Sequence, residues 1–211
     1  MSAERPTALI HSYLKDRGGK KRPDRLTRSC LLAACELKRK DEIEKVCITV
    51  TQELALPMVA RLNLIGGFAD GDIVVRPKTV TTQDEVRSFK KIAKEFGWTS
   101  LKTIAVSPHI PRIKNDIARH FGEDEKVTTV AAEDILYENP RSSQVLNDMK
   151  SWPELASLKK QEVFFQRISN IPVLGDFVLN TLPRAIPGKV KIVLQSLLFR
   201  LLEKDINPNT P

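Results

Sequence analysis

Apolar and polar positions alternate in blocks along the first two-thirds of the chain, each block with a strand or a helix period. Residues 7–11 (TALIH) form a short apolar run before a Gly/Lys-rich stretch, which predicts a strand and then a loop. In residues 24–40, Leu26, Cys30, Ala33, Ala34 and Leu37 recur at three-to-four spacing, one apolar helix face. Residues 44–51 (EKVCITVT) are β-branched or apolar at nearly every position, the pattern of a strand covered on both faces. Residues 54–65 read as a helix, provided that Pro57 falls in its first turn, with Gly66 and Gly67 ending it.

The pattern continues with a buried-type strand at 72–75 (DIVV) and a strongly amphipathic helix at 82–96. Val86, Phe89, Ile92, Ala93 and Phe96 mark that helix's inner face, Thr82 and Glu85 have the spacing of a capping box, and Gly97 stops it. A fourth strand at 102–106 (KTIAV) runs into a helix near Pro111, whose stripe is Ile113, Ile117 and Phe121. Residues 126–130 (KVTTV) read as a fifth strand. Strands alternating with helices of this length imply right-handed βαβ crossovers and a mostly parallel sheet.

After Tyr137 the texture changes. Residues 138–153 read as a polar connection, followed by helical stretches at 154–169, 173–182 and 189–204 that are punctuated by Pro172, Pro183, Pro187 and Gly188. The expected organisation is an α/β domain over 1–137, a connection over 138–153 and a helical extension over 154–206. The last helix is basic and amphipathic, which suits a membrane surface or a homodimer contact as well as its own domain.

Composition sharpens this picture in three places. A net charge of +8 in 211 residues points to an anionic partner, and much of it sits in Lys15, Arg17, Lys20, Lys21, Arg22, Arg25 and Arg28. Cys30, Cys35 and Cys47 are odd in number and form no CxxC, which argues against a disulfide framework or a zinc site and for three small buried residues. The N-terminus has no apolar run of signal-peptide length, and no stretch of ~20 apolar residues occurs, so a cytoplasmic location is expected.

Candidate chemistry lies where strands lead into helix N-termini, the edge at which open parallel sheets bind ligands and free N–H groups favour anions. Ser107, His109 and Arg112 sit at one such junction: Arg112 offers a fork for phosphate or carboxylate, and His109 an acid or base near neutral pH. His11 and Ser12 close the first strand ahead of the basic run, with Arg25 and Arg28 beyond it. Thr79, Thr81, Thr82, Asp84 and Glu85 line the third junction, where capping alone accounts for Thr82 and Glu85. No P-loop, GxGxxG, HExxH or GxSxG pattern is present, so neither ATP hydrolysis nor NAD chemistry is supported, and no metal is implied.

Over residues 7–135 the chain resembles the YdcF/SanA/ElyC family. The resemblance is carried by Arg25-Leu26, by the strand at 46–50, by Asp72-Ile73-Val74-Val75, by Thr82-Gln83-Asp84-Glu85-Val86, and by Val106-Ser107-Pro108-His109-Ile110-Pro111-Arg112. It implies a Rossmann-like three-layer sandwich with a polar cleft at the strand ends, lined by Arg25, Thr82, Glu85, His109 and Arg112, and it brings in S-adenosylmethionine as a ligand of one family type. The chain departs from the pattern after its first strand, where His11-Ser12-Tyr13-Leu14 replaces a Gly-rich turn. It departs again at Thr49-Val50-Thr51-Gln52, where a Ser-Gly-Gly-like turn is usual.

Two function classes follow. One is a binder of a small anionic or nucleotide-like ligand, S-adenosylmethionine or a phosphorylated metabolite. In it His109 is the catalytic candidate, His11, Arg25, Thr82, Glu85, Ser107 and Arg112 are the ligand contacts, and transferase or hydrolase chemistry is open. The other is a non-catalytic interaction protein that meets nucleic acid or an acidic surface through the basic run and the C-terminal helices. The aromatic content of 6% and the lack of an RNA-binding signature weigh against nucleic acid.

Overall fold

The computed structural model describes residues 5–17, 20–50, 52–76, 81–122, 125–139, 147, 149 and 151–169. Residues 1–159 cluster as one unit and residues 160–211 as another, and each is treated by itself. The first unit is built on β1 (Thr7–Ile10), β2 (Leu14–Arg17), β3 (Lys20–Pro23), α1 (Arg25–Arg39), β4 (Lys45–Thr49), α2 (Gln52–Gly66) and β5 (Ile73–Arg76). It continues through α3 (Thr82–Phe96), β6 (Leu101–Ala105), a 3₁₀ turn at Ser107–His109, α4 (Ile110–His120), β7 (Val127–Ala131) and α5 (Ala132–Tyr137). A last helix, α6 (Pro153–Ser169), belongs to this unit up to Lys159.

Five strands form one parallel sheet in the order β5-β4-β1-β6-β7. Chain order runs outward from β1 in one direction and then from β6 in the other, so the winding reverses between β1 and β6. That is the doubly wound Rossmann-like sandwich, with its crevice at the carboxyl ends of β1 and β6.

The two-residue strand period decides which side chain meets which layer. Ala8, Ile10, Val46 and Ile48 join the core under α1 and α2, with Leu26, Cys30, Ala33, Ala34 and Met58. Leu9 and Cys47, one step out of phase, join Val86, Phe89, Ile92 and Ala93 of α3 and Phe121. Fully buried Phe89 is worth about 1.5–3 kcal/mol by its burial.

Helix ends explain themselves locally. Asp24 caps α1 by accepting from the Thr27 N–H. Gly97 closes α3 in the left-handed region, at φ 66°. Gly66 is required for a different reason: a Cβ there would lie 2.8 Å from both Cys35 Sγ and the Phe68 ring, so α1 and α2 approach this closely only over a glycine. All three cysteines are buried and free, and burial pushes Cys35 up to about 11 and Cys47 to about 12, far from a thiolate at neutral pH.

Several expectations are corrected. Pro57 lies in the second turn of α2, because the helix starts at Gln52; it forfeits one backbone bond there. Phe96 is 49% exposed, stacked on Trp98 at 5.0 Å instead of facing the core. The Gly/Lys-rich stretch is an antiparallel ribbon, β2 with β3, where a loop is expected. Residues 132–137 are helical, where no helix is expected. The helices expected at 173–182 and 189–204 lie outside the described residues, as does the whole tail. Among the described residues, no helix is long and apolar enough to cross a membrane.

Candidate functional site

The same strand phase that sorts the core also assembles the crevice. His11 continues the row of Leu9, Thr49 continues the row of Cys47, and Glu85 stands one helical turn before Phe89 on the inner stripe of α3. Two strands and one helix thus exchange apolar for polar residues at the same level, beneath the α3 N-terminus. There Glu85 bonds both neighbours: His11 Nδ1 lies 2.8 Å from Oε2, and the Thr49 hydroxyl donates to Oε1 at 3.2 Å. His11 is 1% exposed and Glu85 9%.

Glu85 and Thr82 are free for this because the cap of α3 lies one residue earlier than the spacing suggests. Thr81, not Thr82, is the N-cap and accepts the Asp84 N–H at 3.1 Å, while its hydroxyl donates to the Asp84 carboxylate at 2.9 Å. Thr82 instead has its hydroxyl 3.1 Å from Nε2 of His109.

His109 arrives from β6 through the 3₁₀ turn and is 6% exposed. Its ring meets that of His11 edge-on, at 5.9 Å between centroids and 72° between planes. A second edge contact, at 5.6 Å and 75°, is with Tyr13. Tyr13 spans the winding reversal: its backbone follows β1, and its phenol oxygen accepts the N–H of Val106, just past β6, at 3.3 Å. The Tyr13 backbone is clamped in turn, its N–H donating to the Thr27 hydroxyl and its carbonyl accepting from that hydroxyl and from the Asp24 N–H.

Of the residues singled out from sequence, His11, Thr82, Glu85 and His109 come together. Arg112 is half-buried on the first turn of α4. Ser107 is exposed, and its N–H is taken by both oxygens of Glu133, at 3.1 and 3.0 Å. That carboxylate sits where an anion would meet the start of the 3₁₀ turn, and burial raises its pKa above the ordinary glutamate value. Ser107 also lines a cavity of about 450 Å³ beside β7, with Leu37, Ile110, Lys114, Asp134 and Ile135; none of the other singled-out residues does. Arg25 is exposed, with its guanidinium 5.7 Å from the centroid of the Trp152 ring.

Tyr13, Thr49 and Glu133 are additions that the motif reading missed. For Thr49 a signal exists in the strand phase set by Cys47. Glu133 gave none, since its partner is 26 positions away. Among the described residues, no group of three or more His, Cys, Asp or Glu is placed to hold a metal ion.

Comparison with protein-family models, with curated proteins and with solved structures found no match to this chain.

Proposed function

We propose that this chain binds a small anionic or nucleotide-like ligand, S-adenosylmethionine or a phosphorylated metabolite, at the carboxyl ends of β1 and β6. The observation that carries this reading is the convergence of His11, Thr82, Glu85 and His109 at the winding reversal. They come from separate segments, and a fold gains nothing in core burial by collecting polar side chains there. The starts of α3 and α4, Arg112 and the net charge of +8 favour an anion at that edge. The YdcF/SanA/ElyC resemblance supports the same place. Transfer or hydrolysis, with His109 as acid or base, is the chemistry to which this reading leads.

The test is a thermal-shift screen of the full chain against nucleotides, S-adenosylmethionine, sugar nucleotides and phosphorylated metabolites, repeated with His109→Ala plus Arg112→Ala. A true ligand at a hundred times its Kd stabilises the wild type by about 2.7 kcal/mol, and the double variant loses that gain. No shift from any compound rejects the reading.

A second reading, an interaction protein for nucleic acid or an acidic surface, is favoured by one observation. The β2–β3 register opposes Lys15 to Arg22 and Arg17 to Lys20. The two strands carry Lys15, Arg17, Lys20, Lys21 and Arg22 against Asp16, a local excess of positive charge that suits an acidic partner. Steep salt dependence of binding to single-stranded DNA or acidic vesicles is its signature.

A further inference from the structure

We infer that His11, held by Glu85, is the proton acceptor of the crevice, and that the ligand or a water presents an O–H or N–H donor to it. This rests on the ligand-binding reading above and names what the ligand must offer. It also moves the base from His109, the residue that motif spacing favours, to a side chain that no motif marks.

The argument starts from which atoms are satisfied. Both oxygens of Glu85 are engaged, one by His11 Nδ1 and one by the Thr49 hydroxyl. An ionised carboxylate only accepts, so the proton in the Glu85–His11 contact lies on Nδ1. In the neutral ring that leaves the lone pair on Nε2. This nitrogen is buried and has no hydrogen-bond partner among the described residues. A buried ring nitrogen without a partner among the described residues leaves a place for a donor from a ligand or a water. His109 differs in this respect, because its Nε2 lies against the Thr82 hydroxyl.

A carboxylate on Nδ1 and an unpaired Nε2 together make a base. The O–H bond of water or of a ligand hydroxyl breaks, its proton goes to the Nε2 lone pair, and its electron pair stays on the oxygen. The imidazolium formed keeps its bond to the Glu85 carboxylate, which offsets the new charge in a site with little water. His11 occupies the point where strand gives way to crevice, so the oxygen is activated at the ligand edge of the sheet.

The chain has three histidines, so ring ¹⁵N NMR of the full-length protein resolves them, with His109→Gln and His120→Gln supplying the assignment. The expected result for His11 near neutral pH is a protonated Nδ1 and an unprotonated Nε2. In Glu85→Gln the amide can donate to Nδ1, and the population moves toward the Nε2–H form. An Nε2–H ring in the wild type, or a spectrum indifferent to Glu85→Gln, overturns the inference. S-adenosylmethionine and adenosine 5′-phosphate then serve as probes. One that binds and moves the Nε2 resonance supports the contact, and one that binds without moving it overturns the contact. If neither stabilises the protein the ligand reading is what suffers, while the wild-type tautomer still decides whether His11 is set up as a base.

Discussion

The starts of α3 and α4 form two walls of one crevice and satisfy their backbone in opposite ways. At α3 the chain caps itself, Thr81 serving Asp84 three positions on. That frees the next pair, Thr82 and Glu85, to hold the two histidines. At the turn leading into α4, the Ser107 N–H relies on a carboxylate from another helix, Glu133 of α5. One wall meets its own needs and lends its side chains to the site. The other borrows a carboxylate, and in doing so fills a place that an incoming anion would seek. Reaching the Ser107 N–H would require displacing the Glu133 carboxylate, whereas at α3 the side chains of Thr82 and Glu85 are spent on His109 and His11.

The largest effect that would break this contrast is Glu85→Ala. It removes the hydrogen-bond partner that His11 Nδ1 and the Thr49 hydroxyl share, at one stroke. Urea unfolding should show a loss of about 3 kcal/mol; a loss below half of that would mean that the pair is not held in the folded state. Next comes Thr81→Ala, expected to cost about 1 kcal/mol. A negligible cost would show that Thr82 takes over the cap and releases His109. The smallest effect is a pH dependence at the borrowed carboxylate. Burial raises the folded pKa of Glu133 above its ordinary 4.5, so the folded state holds that proton more tightly than the unfolded chain does. Stability should rise as pH falls through the window between the raised value and 4.5, and decline as pH rises through it. Glu133→Gln should flatten that part of the stability curve, and an unchanged slope would remove Glu133 from the account.

Most of the fold was legible because it is written in periods. The alternation of apolar strands with amphipathic helices implies a parallel sheet, and the sheet is there. The β2–β3 ribbon escaped because Lys, Arg and Asp fill it, so no apolar alternation announces a strand. Its remaining cue is the Gly18-Gly19 pair between two short runs. The cap of α3 was misplaced by one residue for a sharper reason. Thr81-Thr82 followed by Asp84-Glu85 offers two equivalent boxes of the same spacing, and nothing local chooses between them. The choice is made by His11, a contact 74 positions away. For the site, His109 announced itself through its junction. His11 and Thr49 carried a weaker mark, their phase with Leu9 and Cys47, and Glu133 carried none.

The strand order also bears on how the chain comes into being. β1 lies at the centre of the sheet, yet it precedes the sheet's other described strands in chain order. One of its edges can pair with β4 early, whereas the other must wait for β6, since Thr7 is matched with Leu101. A nascent chain that ends anywhere before β6 therefore carries an apolar strand with one unpaired edge, a template for pairing with other copies. Long-range parallel pairing of this kind is slow to form. The crevice at the β1–β6 boundary thus cannot form until β6 has been made, and fragments stopping at β5 should precipitate where the longer chain does not.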